Sequence, residues 1–413
     1  MIDWHRLTPK PQVVKWLAIA WLLGVCYLAF IHDLGNTGLV DETEPLFAEA
    51  SREMIVSGNW ITPYFNGETR FDKPPLVYWA MAIGYQLIGI NEWAVRLPSA
   101  LSAIALVSLG FYTLLKFAPR HPYLTASLGA GLMAFNPETW VWGRIGVSDM
   151  LLCGCMGGAL LCFFHGYNYN YGWANDPNDT PDQNQPQWNL WRPNRWYLAY
   201  YGLISLAVLT KGPVGVVLPG LIILSFAVCV GKFWEILKEI GIGTGVILFF
   251  GLTIPWYVLA YLENGQAFID SFFGYHNLER FTNVVNGHDA PWYFYFLVVL
   301  VGFAPYSVYL PWSFAKVQWW KRSRLQRQPR QEHLGIFLMV WFVVIFAFFS
   351  IAITKLPSYV LPLMPAAGML ISLKALTHYQ ESTKGLKITG LINVLFLLAL
   401  SAVFLLFTKL YWV

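Results

Sequence analysis

Charge is what this chain has least of. Asp, Glu, Lys and Arg make up 12% of its 413 residues, about half the share found in ordinary soluble domains. Cysteine is sparse as well. Cys26, Cys153, Cys155, Cys162 and Cys229 all fall inside apolar runs. Cys153 and Cys155 form a C-x-C without a second pair or a nearby His, so neither a cysteine zinc site nor a disulfide framework is implied. The first apolar run, Val13 to Phe30, lacks an A-x-A-like cleavage site and reads as a retained span, not a signal peptide. Long polar stretches are missing too. The longest, Asn168 to Arg195, is rich in Asn, Asp, Pro and Trp and reads as an irregular loop. An ordinary soluble domain is therefore excluded.

What fills the chain is apolar and aromatic: 56% hydrophobic residues, with 20 Trp and 22 Tyr. This is the composition of a polytopic membrane protein. A span needs about 20 apolar residues. Eleven cores stand out, at 13–31, 97–117, 123–137, 148–167, 196–211, 213–231, 240–262, 292–314, 334–353, 357–375 and 388–411, of which the third, fifth and sixth are short or broken by Pro. Lys and Arg set the orientation. With the N-terminus cytoplasmic, the cluster Lys316, Lys321, Arg322, Arg324, Arg327 and Arg330 falls inside. It reads as a solvated loop facing lipid headgroups, not as a nucleic-acid surface. Loops 32–96 and 263–291 then lie outside, with Glu138 and Asp149. The expected fold is an all-α polytopic membrane protein of about eleven spans. Residues 1–413 form a single transmembrane domain with two extracytoplasmic loops, and no sizeable C-terminal soluble domain is expected.

Loop 32–96 carries the densest signal. In "LVDETEPLFAEASREM", Asp41 can cap a helix, with Glu44 at the reciprocal position three residues on. Pro45 is tolerated in the first turn. Leu46, Phe47, Ala50 and Met54 line one face at helical spacing, which predicts an amphipathic helix lying on the membrane. Asn66-Gly67 marks a turn. Pro74-Pro75 opens a second helix, Leu76 to Ile88, too short to span and expected in the interface. Capping leaves Glu42 without a reason. It also leaves unexplained the charged pair Asp72-Lys73 that "RFDKPP" returns to the same surface.

These segments, together with "RLPSAL", "RIGVSDMLL", "LTKGP", "FFGYHNLERF" and "TKLPSYVLPLMPA", resemble in their order the motifs of bacterial glycosyltransferases of the GT-C fold. The resemblance is strongest to the lipid A aminoarabinose transferases, and more distant to the protein O-mannosyltransferases. It runs from Val40 to about Ala366. It implies inverting transfer of a sugar from a polyprenyl-phosphate donor to a hydroxyl or phosphate of a lipid, glycan or protein acceptor. The reaction would occur at the extracytoplasmic face of the bacterial inner membrane.

By the same resemblance, Asp41 matches the acidic residue after the first span and is the candidate general base, with Glu42 beside it. Lys73 matches the lysine that meets the donor phosphate, and Lys211 another basic position near the donor. Asp149 matches a second acidic residue that orients substrate; the alternative is a helix cap. Lys355 and Tyr359 border the lipid phosphate, unless Lys355 only snorkels from a span end. His276 and Arg280, four apart, share a helix face if their loop is helical, and Arg280 joins the phosphate-binding set. No cofactor is required. In the aminoarabinose transferases the His matching His276 can hold a metal with the acidic residue before the lysine. That residue is Asp72 here, so zinc at Asp72 and His276 is an expectation, with water or substrate completing the shell. A plain Asp72–His276 or Glu279–Arg280 pairing is the alternative. Where the family carries an Arg-Tyr after its acidic pair, this chain reads Glu44-Pro45, which implies a different grip on the donor. Two other functions stay open: a polyprenyl-lipid flippase, and an oligosaccharide polymerase or ligase.

Overall fold

The computed structural model describes residues 11–40, 43–169, 191–279, 290–377 and 383–411. The chain starts with α1 (Pro11–Ile31) and α2 (Thr43–Ser57). A small hairpin of β1 (Tyr64–Phe65) and β2 (Glu68–Thr69) leads to α3 (Leu76–Ile88). The bundle continues through α4 (Glu92–Phe117), α5 (Pro122–Ala134), α6 (Pro137–Trp142), α7 (Ser148–Tyr167), α8 (Arg195–Lys211), α9 (Val214–Val230), α10 (Phe233–Glu239) and α11 (Ile242–Asn264). It closes with α12 (Gln266–Ile269), α13 (Asp270–Glu279), α14 (Phe294–Gly302), α15 (Leu310–Val317), α16 (Arg322–Arg327), α17 (Leu334–Ile351), α18 (Met364–Thr377) and α19 (Thr383–Tyr411).

All eleven expected cores are helical, but they do not all have the length of a span. Among the described residues seven helices are long and apolar enough to cross a membrane. An eighth counts if α14 and the segment Ser307–Val317, bent by 112°, form one broken span. The shortfall lies in α5, α8 and α9, at 13, 17 and 17 residues. At 1.5 Å per residue these reach roughly 20–26 Å, less than the ~30 Å hydrocarbon layer. Each stops for a local reason. Asn136 caps α6 through Thr139 N, with Pro137 at its first position, and this ends α5. Gly212, at φ 80° and ψ −151°, ends α8.

One helix sits at the centre. Of the apolar stretch of α7, 94% is buried, against 28% for α1, 22% for α11 and 6% for α19. The outer helices therefore meet lipid and α7 meets protein. Its small residues allow that enclosure: a Cβ on Gly154 would lie 2.8 Å from Ser102, and one on Gly157 2.9 Å from Leu106. Close backbone approach of this kind is what small residues contribute to packing inside membranes.

A second, smaller core joins the two short helices of the first loop. Phe47, Ala50 and Met54 of α2 pack on Val77, Tyr78, Met81 and Tyr85 of α3, and each of the buried Phe, Val and Met side chains contributes about 1.5–3 kcal/mol. The predicted apolar face of α2 thus covers α3, while Ile83 and Leu87 of α3 stay exposed. The Asn66-Gly67 turn is present, with Gly67 at φ 79° between Tyr64↔Thr69 and Phe65↔Glu68 pairs. Loop 32–96 also meets the end of α11. Trp256 Nε1 donates to Ile61 O at 3.0 Å, and Asn264 Nδ2 to Thr62 Oγ1 at 2.7 Å. The two loops expected on one side of the membrane are therefore in contact, at the end of the bundle where α7 begins and α8 stops.

Candidate active site

Five of the candidate residues line one cleft of about 510 Å³: Asp72, Lys73, Asp149, Lys211 and Tyr359. They arrive from four separate segments, namely the turn before α3, the start of α7, the end of α8 and the 3-10 turn Pro357–Leu363. Val217, Leu218, Phe273, Phe348, Phe349 and Pro362 supply apolar wall.

The corner that presents Lys211 follows from its sequence. Gly212 takes a backbone conformation that a residue with a Cβ avoids, so the chain turns at once through Pro213 into α9. Lys211 is left at the end of α8, facing the cleft. Its ammonium donates to Asp149 Oδ1 at 2.7 Å and lies 5.4 Å from the centroid of the Tyr359 ring, within cation–π range. Lys211 and Asp149 are mostly buried, with 16% and 15% of their side chains exposed. Ser358 lies against the Asp149 carboxylate. Asp149 occupies the first turn of α7 but is not its cap: the cap position is Val147, with no side-chain bond. The carboxylate serves the lysine instead.

Lys73 donates to Asp72 O at 2.9 Å, with Asp72 Oδ2 at 3.7 Å. The Asp72 carboxylate is further engaged by Arg70 Nη2 at 2.7 Å and by the Tyr78 hydroxyl, which donates to Oδ1 at 2.8 Å. Burial, then the Asp72 charge, pushes the Tyr78 phenol well above its usual range, so it stays a neutral donor. Burial pulls the Arg70 guanidinium down, but Asp72 and Tyr78 more than offset this and hold it charged. Arg70 also lies 5.5 Å over the Phe47 ring. Neither Arg70 nor Tyr78 stood out in the sequence, although both fall inside "NGETRFDKPPLVYW". The signal was Arg70 two residues before Asp72 and Tyr78 on the buried face of α3.

This geometry bears on the expected metal. Asp72 already pairs with two cations, and a divalent ion beside Arg70 and Lys73 would face repulsion. Among the described residues no group of three His, Cys, Asp or Glu side chains is placed to hold a metal ion. His276 lies on the backbone of α13. Asp41, Glu42 and Arg280 lie outside the described residues. Lys355 is half-buried and does not line the cleft. Its ammonium donates to Ala352 O at 2.8 Å.

Glu44 reaches well beyond its own helix. It is fully buried and accepts four N–H groups. Val40 N and Gly146 N donate at 2.7 Å each, Arg96 Nε at 2.9 Å and Arg96 Nη2 at 3.0 Å. Arg96 spends its other bonds on Leu34 O, Gly38 O and both the carbonyl and the hydroxyl of Thr37. The pair ties the chain on both sides of Asp41-Glu42 to α4 and to the residues just before α7. Nearby on α6, burial first, then Asp149, raises the Glu138 carboxyl to about 7 against a hydrogen bond from Trp142.

A family model for dolichyl-phosphate-mannose-protein mannosyltransferases matches residues 18–266. An undecaprenyl phosphate-alpha-4-amino-4-deoxy-L-arabinose arabinosyl transferase 2 of Pseudomonas fluorescens is 32% identical over 396 residues, covering 92% of this chain and 64% of the relative. An uncharacterized protein of Aquifex aeolicus is 28% identical, covering 91% of this chain and 68% of its own. The chain spans just under two thirds of the length of the first curated relatives it matches. Among solved structures, ArnT from Cupriavidus metallidurans bound to undecaprenyl phosphate superposes with a TM-score of 0.69 at 27% identity, covering 88% of this chain and 60% of ArnT. The archaeal oligosaccharyltransferase AglB from Archaeoglobus fulgidus, at 16% identity and a TM-score of 0.52, shares the fold. The chain is an integral membrane protein of the GT-C fold and belongs to the dolichyl-phosphate-mannose-protein mannosyltransferase family.

Proposed function

We propose that the chain is an inverting glycosyltransferase that moves a sugar from a polyprenyl-phosphate donor to a hydroxyl or phosphate of a lipid, glycan or protein acceptor. It acts at the extracytoplasmic face of the bacterial inner membrane, as one transmembrane unit with loops 32–96 and 263–291 on that side. The observation that carries this reading is the meeting of Lys73 and Lys211, with Asp72, Asp149 and Tyr359, in a cleft whose remaining walls are mostly apolar. A phosphate calls for the cations and a prenyl chain for the apolar walls. The relatives, an undecaprenyl phosphate-aminoarabinose arabinosyl transferase and an ArnT that binds undecaprenyl phosphate, support the same chemistry.

The reaction breaks the bond between the anomeric carbon and a phosphate oxygen and forms one to the acceptor oxygen. Attack from the side opposite the phosphate inverts the carbon. The leaving phosphate gains charge in the transition state, where fixed cations stabilise it more than in the ground state. Lys73 and Lys211 have that task, joined by Arg280. Asp149 fixes the Lys211 ammonium, so no reorganisation is needed as charge develops. Lys355 holds the turn before Tyr359, at one remove from the phosphate. Asp41, with Glu42 beside it, takes the acceptor proton, a step worth about 10²–10⁴-fold.

The test is release of polyprenyl phosphate by purified protein in lipid nanodiscs, with polyprenyl-phosphate aminoarabinose and mannose as donors and lipid A or peptide as acceptors. Lys73→Ala and Lys211→Ala should each lower transfer by ~10²-fold, the usual cost of one lost charge-stabilising group. Lys73→Arg should rescue poorly, since a planar fork does not replace a point charge. Parent-like transfer in both alanine variants would remove the cleft from the chemistry. Movement of donor across the bilayer without release would make the protein a flippase.

A further inference from the structure

The segment that carries Lys73 into the cleft is anchored residue by residue. Arg70 N donates to Pro63 O at 2.8 Å, which continues the β1–β2 hairpin by one bond. The Phe71 ring meets Phe268 of α12 edge-on, with centroids 5.6 Å apart. Asp72 is held by its carboxylate. Pro74 follows Lys73, and its ring biases the Lys73 backbone toward extended conformations.

The hold on Asp72 is a closed triangle. Arg70 Nη2 donates to Asp72 Oδ2 at 2.7 Å and the Tyr78 hydroxyl to Oδ1 at 2.8 Å, while Arg70 Nε donates to the Tyr78 oxygen at 3.3 Å. The phenol oxygen thus makes two sides of the triangle. Tyr78 is fully buried in the core between α2 and α3. Its ring stacks on Phe47 of α2 at 5.4 Å, and the Arg70 guanidinium lies over the same Phe47 ring at 5.5 Å. A short path therefore leads from the packed helices to the cleft, through Phe47, Tyr78, Asp72 and Lys73. Its last step is the 2.9 Å bond from the Lys73 ammonium to the Asp72 carbonyl.

Arg70 and Tyr78 are not among the walls of the cleft, so their effect on bound donor must pass through the residues they hold. Lys73 is the one that gains most from being held. A lysine carries a compact charge on a flexible four-carbon stem, with about 2 kcal/mol of rotamer entropy. A cation stabilises a developing charge only from the right place, and a misplacement of about 1 Å can cost ~10²-fold in rate.

We propose that Tyr78, together with Arg70, is a positioning residue for Lys73. The pair fixes Asp72 so that the Lys73 ammonium stands where the leaving phosphate gains charge. This role rests on the transfer reaction proposed above and adds to it two residues outside the cleft.

The experiment is a double-variant cycle on the full chain in nanodiscs, read as single-turnover release of polyprenyl phosphate over a range of donor concentrations. Tyr78→Phe keeps the ring and its stack on Phe47 and removes the hydroxyl. Its rate at saturating donor should fall about 10-fold. The donor concentration for half-maximal rate should change by less than about 3-fold, because the charge that Lys73 meets grows in the transition state. In the Lys73→Ala background the same change should cost less than about 2-fold, since the residue it positions is gone. A role in folding alone would cost the same in both backgrounds. Arg70→Lys loses the planar fork that reaches Asp72 and Tyr78 together. It should repeat the pattern, and it carries the cycle if Tyr78→Phe melts early. Parent-like transfer in Lys73→Ala would remove the role of Lys73 in the reaction, and the positioning role with it. A loss in Lys73→Ala with parent-like transfer in Tyr78→Phe and Arg70→Lys, or equal losses with and without Lys73, would overturn the positioning role alone.

Discussion

Glu44→Gln is the sharpest perturbation of the scaffold around the candidate base. The change keeps the size of the side chain and removes one charge. In the parent, both carboxylate oxygens are filled by N–H donors, and Arg96 and Glu44 are 3% and 0% exposed. A glutamine can satisfy the donors at one oxygen only. Its amide NH₂ then points at Val40 N–H or Arg96 Nη2, donor against donor, while the guanidinium is left buried without a counter-charge. Removing one partner of a buried pair costs about 3–5 kcal/mol. Because Val40 and Glu44 flank Asp41-Glu42 in sequence, transfer should fall along with stability, by ~10-fold or more for a mispositioned base. Reversible unfolding in mixed micelles gives the stability, and polyprenyl phosphate release the transfer. Glu44→Leu combined with Arg96→Met removes both charges and should cost less than the two single changes together, by about 1–3 kcal/mol of coupling. Parent-like stability in Glu44→Gln, or strict additivity in the double variant, would refute the clamp.

Three other outcomes follow. Asn caps a helix about as well as Asp, so Asp41→Asn should fold and bind donor like the parent while its transfer falls by at least ~10²-fold; parent-like transfer would leave Asp41 a capping residue. Glu138 has a folded pKa of about 7 against 4.5 unfolded, so its stabilising contribution is present below pH 4.5 and is lost as pH rises through 7. The parent should therefore melt lower at pH 8 than at pH 5, Glu138→Gln should flatten that slope, and an unchanged slope in the variant would assign it elsewhere. Single cysteines replacing Glu68 and Lys321 should label oppositely with an impermeant reagent, Glu68→Cys in intact cells and Lys321→Cys only after lysis; the reverse pattern would move the cleft to the cytoplasmic side.

Local features of this fold were legible in the sequence, and pairings across it were not. Leu76–Ile88 and the Asn66-Gly67 turn come from proline, glycine and apolar spacing, which act over a few residues, and both stand where the pattern put them. Lys73, Asp149, Lys211 and Tyr359 were each marked by a short motif, yet only the packed bundle brings them to one cleft. The Glu44–Arg96 clamp joins residues 52 apart. Nothing in the local pattern distinguishes Glu44 from an ordinary capping glutamate, because its role depends on how α4 and Gly146 approach. The count of eleven spans is not confirmed, for a related reason. Hydropathy detects α5, α8 and α9 as apolar, but their lengths are set by Asn136-Pro137 and Gly212-Pro213.

Bilayer thickness works on a protein through the side chains that touch lipid. In this molecule α1, α11 and α19 carry that contact, and α7 carries almost none. Hydrophobic mismatch therefore tilts or strains the outer helices, while α7 keeps the length of a 20-residue helix, roughly 30 Å. Asp149 stands at one of its ends. At the other, the Tyr167 carbonyl accepts from Arg330 at 2.8 Å. The cleft and the charged cluster at the far face are thus held at one separation in thin and thick membranes alike, an internal ruler in a solvent whose own thickness varies.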